Sequence, residues 1–129
     1  MKRVLLLTLI ILTLIGLVSA KTRDKEAKAE MTFAQLNYDF GTLPHKGDKV
    51  THLFEFTNTG SAPLIISRTT TSCRCITIKA PKRPVRSGES GNIEVAYDPK
   101  DLGAFNKAID IYANIPGGYI TLFVKGAVE

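Results

Sequence analysis

From residue 31 onward, apolar and polar residues alternate along short segments that are separated by groups of turn residues. Between Val50 and Phe56, the even-numbered positions form an apolar face that includes His52, and the turn residues 58–61 follow. The same alternation recurs at residues 93–97, 105–112 and 120–126. A period of two residues predicts half-buried β-strands, and no long window beyond residue 20 keeps the 3.6-residue period of a helix.

Turn signals separate about seven such segments, which is typical of an immunoglobulin-like sandwich. The pattern therefore predicts an all-β fold, a small antiparallel immunoglobulin-like β-sandwich of about seven strands. A five- or six-stranded barrel is the alternative architecture. The apolar faces of the segments define the inward-facing residues that we expect, namely Phe54, Phe56, Leu64, Ile66, Val95, Tyr97, Ile109, Ile111, Leu122 and Val124.

The first 20 residues have the organisation of an export signal. Lys2 and Arg3 precede an apolar run over residues 4–18, and Ser19 and Ala20 supply small residues for cleavage. The run is shorter than the roughly 20 residues of a membrane-spanning helix. We therefore predict a signal peptide at residues 1–20 and no stable membrane span after its removal. An uncleaved anchor is the alternative, because basic residues follow the run closely.

The remainder of the chain divides into a tether and one domain. Residues 21–30 contain seven charges and no large apolar side chain, which predicts a charged flexible tether before a domain at residues 31–129. Without Lys2 and Arg3 the formal net charge falls from +5 to +3, an ordinary value for an exported surface. The basic residues at 79–86 are interrupted by two prolines and not interleaved with aromatic residues, so we expect a solvated loop and no nucleic-acid partner. The expected location is the periplasm or cell envelope, with secretion as the other destination.

Seven short motifs along the domain resemble those of a bacterial protein family. In chain order they are YDFG (38–41), FEFTNTG (54–60), APLII (62–66), SCRC (72–75), SGESG (87–91), GAFNK (103–107) and LFVKG (122–126). The series is similar to the exported domain-of-unknown-function family numbered 1573, from about residue 33 to residue 128. The resemblance implies an immunoglobulin-like sandwich of the Hydin type and no established activity. The family usually has Gly at the position of Arg74.

Residues that carry out chemistry are few and scattered. The sequence 88–92 differs by one residue from the nucleophile-elbow pattern, since Asn92 stands where Gly is needed. His45 and His52 are the only candidate general bases, and we expect a solvated loop residue and a packed strand residue respectively. Phosphate-binding, zinc-protease and calcium-binding motifs are lacking. We therefore expect a protein that is not an enzyme, with no catalytic residues and no cofactor.

Cys73 and Cys75 are the one pair with several chemical interpretations. On a strand, the Cα atoms of residues i and i+2 lie about 6.6 Å apart on the same face, near the upper limit for a disulfide. The pair could form two buried thiols, a strained exchangeable disulfide, or a soft-metal site completed by His45 or His52. Buried thiols are the interpretation that we favour. No metal site is assigned, and Cys73, Cys75 and His52 are the candidate ligands of that alternative.

The expected function is that of an exported, non-catalytic module. It binds or scaffolds an unidentified envelope or surface protein through an exposed strand edge or its end loops. The alternative is a thiol-based redox or soft-metal-binding protein that uses the Cys-x-Cys pair.

Overall fold

The alternation of buried and exposed side chains produces eight strands. A computed structural model describes residues 27–129, so the predicted signal peptide and most of the predicted tether lie outside the described residues. No helix in the described part of the chain is long and apolar enough to cross a membrane. The strands are β1 (Met31–Phe33), β2 (Asn37–Leu43), β3 (Val50–Asn58), β4 (Ile66–Thr71), β5 (Ile76–Lys79), β6 (Ser90–Tyr97), β7 (Gly103–Ala113) and β8 (Tyr119–Val128).

These strands form two sheets of four. One sheet, which we call sheet 1, has the order β1-β3-β6-β5, and sheet 2 has the order β2-β8-β7-β4. All neighbours are antiparallel except β2 and β8, which are parallel. The predicted all-β, immunoglobulin-like sandwich is confirmed, with eight strands rather than about seven and with one parallel pair. The order is the constant-type immunoglobulin arrangement with the first strand divided between the two sheets.

The division of the first strand accounts for the parallel pair. β1 pairs with β3 in sheet 1, where Phe33 lies opposite Phe56. Within four residues, β2 pairs with β8 in sheet 2, where Asn37 lies opposite Phe123. The crossing is held at both ends, because the Ala34 N–H donates to the Glu55 carbonyl and the Phe123 N–H donates to the carbonyl of Leu36. The chain therefore leaves the edge of sheet 1 after only three paired residues.

The core lies between the sheets and includes the residues predicted to face inward, together with others such as Phe105 and Val128. Of the ten residues expected to face inward, nine are buried, and the tenth, Ile66, is half-buried and packs against the core. The central strands contribute fully enclosed side chains, among them Ile93, Ile109 and Leu122. These strands pair in the register that keeps their apolar faces inward. A shift by one residue would turn all of these apolar side chains toward solvent.

The folded region begins earlier than predicted. Ala29 is 1% exposed, and the carbonyl of Lys28 accepts hydrogen bonds from the N–H groups of Ser61 and Ala62. A β-carbon on Gly60 would lie 2.8 Å from the carbonyl carbon of Ala29, so only glycine allows this close approach of the two backbones. Residues 28–30, which the charge pattern assigned to the tether, are thus held against the turn after β3.

Candidate functional site

The part of β3 beyond β1 has an unpaired edge. β1 pairs with β3 only from Phe56 to Asn58, whereas β6 pairs with β3 from Val50 to Thr57 on the opposite side. Among the described strands, none pairs with β3 on the β1 side between residues 50 and 54. We call this stretch, which continues the line of β1 along sheet 1, the vacant lane.

Backbone directions show which groups face the vacant lane. The carbonyl of Glu55 accepts the Ala34 N–H and therefore points toward the β1 side. The Asn58 N–H donates to the Glu89 carbonyl beside β6, so even-numbered residues of β3 point the other way. Because both backbone groups of an antiparallel residue point to the same side, the N–H and C=O groups of Thr51 and Leu53 face the lane. Together they offer two donors and two acceptors.

A groove of about 230 Å³ accompanies this edge. Its lining consists of Ala34, Gln35, His52, Leu53, Phe54 and Glu55. On its outward side Leu53 is 54% exposed, although it lies on the face of sheet 1 where its neighbours along β3 are Thr51 and Glu55. The groove therefore offers an apolar surface beside free backbone hydrogen-bonding groups.

The inward side of the same strand is aromatic. The His52 ring stacks on Tyr38 of β2, with ring centroids 3.6 Å apart, and meets the Phe54 ring edge-on at 4.7 Å. Desolvation by burial lowers the pKa of His52 from its ordinary value of 6.5. The expectation that His52 is a packed strand residue thus agrees with the structure. His52 joins the two sheets at the side of the sandwich where β2 and β3 meet.

The aromatic contacts continue into the core. Phe40 packs against Tyr97 with centroids 6.5 Å apart, and Tyr97 stacks on Phe105 at 3.9 Å. Burial, followed by the carboxylates of Asp101 and Asp98, raises the pKa of Tyr97 above its ordinary value of 10.0. The phenol therefore stays neutral at physiological pH, and its ring acts as part of the core.

The two cysteines lie in a turn and not on a strand, which corrects the sequence prediction. The turn precedes β5, and Cys73 and Cys75 form a disulfide with their Cα atoms 5.2 Å apart. The favoured interpretation of two free thiols is therefore wrong. The distance is shorter than the extended spacing because the chain bends here, with the Ile76 N–H donating to the Cys73 carbonyl at 3.3 Å. Within residues 27–129, no three His, Cys, Asp or Glu side chains are grouped as metal ligands would be, so His52 does not complete a site with the sulfurs.

The other candidate residues are separate from one another. The ring of His45 is on the surface, where its Nε2 lies 2.9 Å from the Lys100 carbonyl oxygen. The segment that resembles a nucleophile elbow is a turn leading into β6, and its Ser90 hydroxyl lies 2.9 Å from the hydroxyl of Thr57. Of the basic residues at 79–86, Lys79 pairs with Glu94 at 3.7 Å, and the other three cations are exposed.

Sequence reasoning did not identify the residues that form the vacant lane. Thr51 and Leu53 lie on the outward, polar face of a correctly predicted strand, and such a face does not by itself indicate a binding site. The one available signal was Leu53 itself, a large apolar residue on a face that is otherwise polar. Pairing of their backbone groups depends on the length of β1, which the local sequence does not reveal.

Comparisons with solved structures agree with this fold. An uncharacterised protein from Porphyromonas gingivalis W83 is 22% identical with a TM-score of 0.69, covering 78% of this chain and 47% of that chain. The secreted serine protease VesC from Vibrio cholerae is 18% identical with a TM-score of 0.59, covering 81% of this chain and 24% of that chain. This chain thus spans about half or less of those two proteins.

A third structure matches over nearly its whole length. The ASH/PapD-like domain of human CEP192 is 12% identical with a TM-score of 0.63, covering 88% of this chain and 93% of that domain. At these identities the likeness concerns the fold alone. No curated protein matches the chain. The model of one family, described as a protein of unknown function (DUF1573), matches residues 31–128. The chain therefore belongs to the DUF1573 family.

Proposed function

We propose that this protein is an exported, non-catalytic module that binds an extended segment of another envelope or surface protein along the vacant lane. The observation that carries the proposal is the unpaired backbone of Thr51 and Leu53, which faces the lane beside an apolar groove. Addition of a strand to an exposed sheet edge uses these backbone groups for affinity and the adjacent pockets for specificity.

The chemistry of the lane specifies the kind of segment that fits. An added strand would place alternate side chains toward the aromatic inner side, where His52 and Phe54 lie, and would leave the others beside Leu53. An extended segment with one apolar residue facing inward and another facing Leu53 matches this surface. With about four backbone hydrogen bonds, each contributing about 1 kcal/mol at most, the complex is weak and exchanges readily.

Export is the other half of the proposal, and it is supported by the organisation of residues 1–20. N-terminal sequencing of the protein purified from the envelope or medium of its host should begin at Lys21. Recovery of the intact Met1 terminus in the membrane fraction would contradict cleavage and would favour the anchored form.

A photo-crosslinking amino acid placed at position 53 tests the binding edge in the host cell. We expect a discrete protein adduct from position 53 and none from position 106, an exposed site on the central strand β7 of sheet 2. Thr51→Pro removes an N–H that faces the lane without affecting the β6 ladder, whereas Thr51→Val keeps that N–H.

The adduct should therefore disappear with Thr51→Pro and persist with Thr51→Val, while both variants show the circular dichroism of the wild type. A second test combines Leu53→Lys with the crosslinker at position 55. This substitution leaves the backbone pairing between β3 and β6 intact and places a charge at the lane. Equal adducts from positions 53 and 106, or adducts insensitive to both edge substitutions, would refute binding along β3.

A further inference from the structure

We propose that the Cys73–Cys75 disulfide is an exchangeable redox site that oxidises thiols. The disulfide closes a ring across the single residue Arg74, and loop-closure entropy is smallest for the shortest loops. Its formation therefore contributes little to the stability of the fold, in contrast to a disulfide that joins distant parts of a chain. Both cysteines pack against the hydrophobic core on one side and keep part of their surface exposed to solvent.

The turn is held by hydrogen bonds that do not depend on the disulfide. The Ile76 N–H donates to the Cys73 carbonyl at 3.3 Å, and the Asp98 N–H donates to the Cys75 carbonyl at 2.9 Å. The second of these bonds ties the turn to the end of β6, the strand that pairs with β5. Because the backbone stays fixed when the sulfurs separate, the oxidised and reduced forms share one fold. A disulfide with this property responds to its surroundings and does not act as a structural staple.

The two sulfurs have different environments, which sets the direction of exchange. The Cys75 N–H lies 3.3 Å from the Cys73 Sγ and donates to it. The exposed Arg74 is adjacent to both cysteines in the chain, so its charge does not distinguish one sulfur from the other. The hydrogen bond from the Cys75 N–H stabilises negative charge at the Cys73 sulfur, so Cys73 is the better leaving group.

The reaction follows from this asymmetry. A substrate thiolate attacks the Cys75 Sγ, the bond between the two cysteine sulfurs breaks, and Cys73 leaves as a thiolate. A second substrate thiolate then attacks the substrate sulfur of the mixed disulfide and releases Cys75 as a thiolate. The two substrate thiols become one disulfide, their two protons pass to solvent or to the cysteines, and two electrons enter the Cys73–Cys75 pair. The substrate class is a dithiol or a pair of thiols on a protein or small molecule.

Equilibration of the purified mature protein with reduced glutathione, followed by alkylation and mass measurement, tests the site. We expect millimolar glutathione to reduce the disulfide completely without denaturant. The oxidised protein and the reduced protein, both measured without alkylation, should have the same melting temperature. Reduction that requires denaturant, or a reduced protein that unfolds, would show a structural disulfide and overturn the proposal.

Single-cysteine variants test the asymmetry. At pH 7, Cys73 in the Cys75→Ser variant should react with iodoacetamide about tenfold faster than Cys75 in Cys73→Ser. Arg74→Gln should slow the two alkylations by a similar factor, because residue 74 is adjacent to both cysteines, and the difference between the two variants should remain. Equal rates in the two variants would contradict the assigned leaving group. These measurements are independent of the vacant lane, so failure here leaves the proposed binding function intact.

Discussion

Asn58, the only polar residue among the buried side chains of the described region, is a position where a small substitution should have a large effect. Its Oδ1 accepts hydrogen bonds from the N–H groups of Glu30 at 3.3 Å and Gly60 at 3.0 Å. Its Nδ2 donates to the carbonyls of Ala62 at 2.8 Å and Val85 at 2.9 Å. The amide thus fills all four of its bonding positions and joins three separate segments of chain.

Replacement of Asn58 by Ala removes four bonds, of which the one to Val85 is buried and the other three are part-buried. At about 1 kcal/mol for each bond, the expected loss in free energy of unfolding is about 4 kcal/mol. The matched control is Asn114→Ala. Asn114 bonds the Ile65 N–H and the Pro63 carbonyl, but it is exposed, so water replaces its two bonds and the loss should stay near or below about 1 kcal/mol.

Urea unfolding at pH 7 measures both losses, with unchanged m-values indicating that the two-state comparison is valid. A loss for Asn58→Ala that is no greater than that for Asn114→Ala would refute the argument, because it would mean that the buried amide contributes no more than a surface amide.

The variant Asn58→Asp separates the acceptor from the donor contribution. The introduced carboxylate keeps the two bonds from Glu30 and Gly60 but directs an oxygen at the carbonyl oxygens of Ala62 and Val85. This repulsion, together with burial, should raise the pKa of the carboxyl at position 58 in the folded state above its unfolded value. The folded state then binds the proton more tightly, so stability relative to the wild type is greatest at low pH and is lost as the pH rises through the folded pKa. A difference between the two proteins that does not change with pH would contradict the donor assignment.

Three further predictions concern other parts of the fold. Because burial lowers the pKa of His52 in the folded state, the unfolded state binds more protons at this residue. The contribution of His52 to the free energy of unfolding should therefore fall as the pH is lowered below 6.5. His52→Gln should make the free energy of unfolding less dependent on pH in this range. Ile109→Ala should cost about 2 to 5 kcal/mol in urea unfolding, since the side chain is fully enclosed, and a loss below about 1 kcal/mol would mean that the assigned core face is wrong. Gly126→Ala should cost about 1 to 3 kcal/mol, because its β-carbon would lie 2.7 Å from the Phe105 ring and 2.8 Å from the Gly41 carbonyl oxygen; an unchanged melting temperature would contradict that geometry.

The features that the sequence revealed are those with a local cause. The two-residue alternation in β3, β6, β7 and β8 reports one buried face for each strand, and its register follows directly from that face. For this reason nine of the ten residues predicted to face inward are buried, although they make up only half of the eighteen buried apolar residues in the described region. The same period carries no information about which strands become neighbours, because pairing depends on contacts between distant parts of the chain.

The features that the sequence did not reveal depend on such distant contacts. The crossing at residues 34–36 is fixed by bonds to Glu55 and Phe123, far away in sequence, so the division of the first strand between the two sheets was not predicted. The alternation around Cys73 and Ile76 similarly suggested one strand, but the bond from Asp98 to Cys75 fixes a turn there. Asn58 was assigned to the turn after a strand, but it is the last residue of β3, and its buried amide contacts the distant residues Glu30 and Val85.

The division of the first strand also gives a reason to regard the vacant lane as functional. Exposed edges invite aggregation, and proteins usually protect them by keeping the edge strand short or charged. The outer strand β5 has four residues and ends at Lys79, and the outer strand β4 carries Arg68. The open part of β3 has neither device, because its lane-facing residues are Thr51 and the exposed Leu53. Unpaired backbone groups beside an exposed apolar side chain are what a strand-binding surface requires.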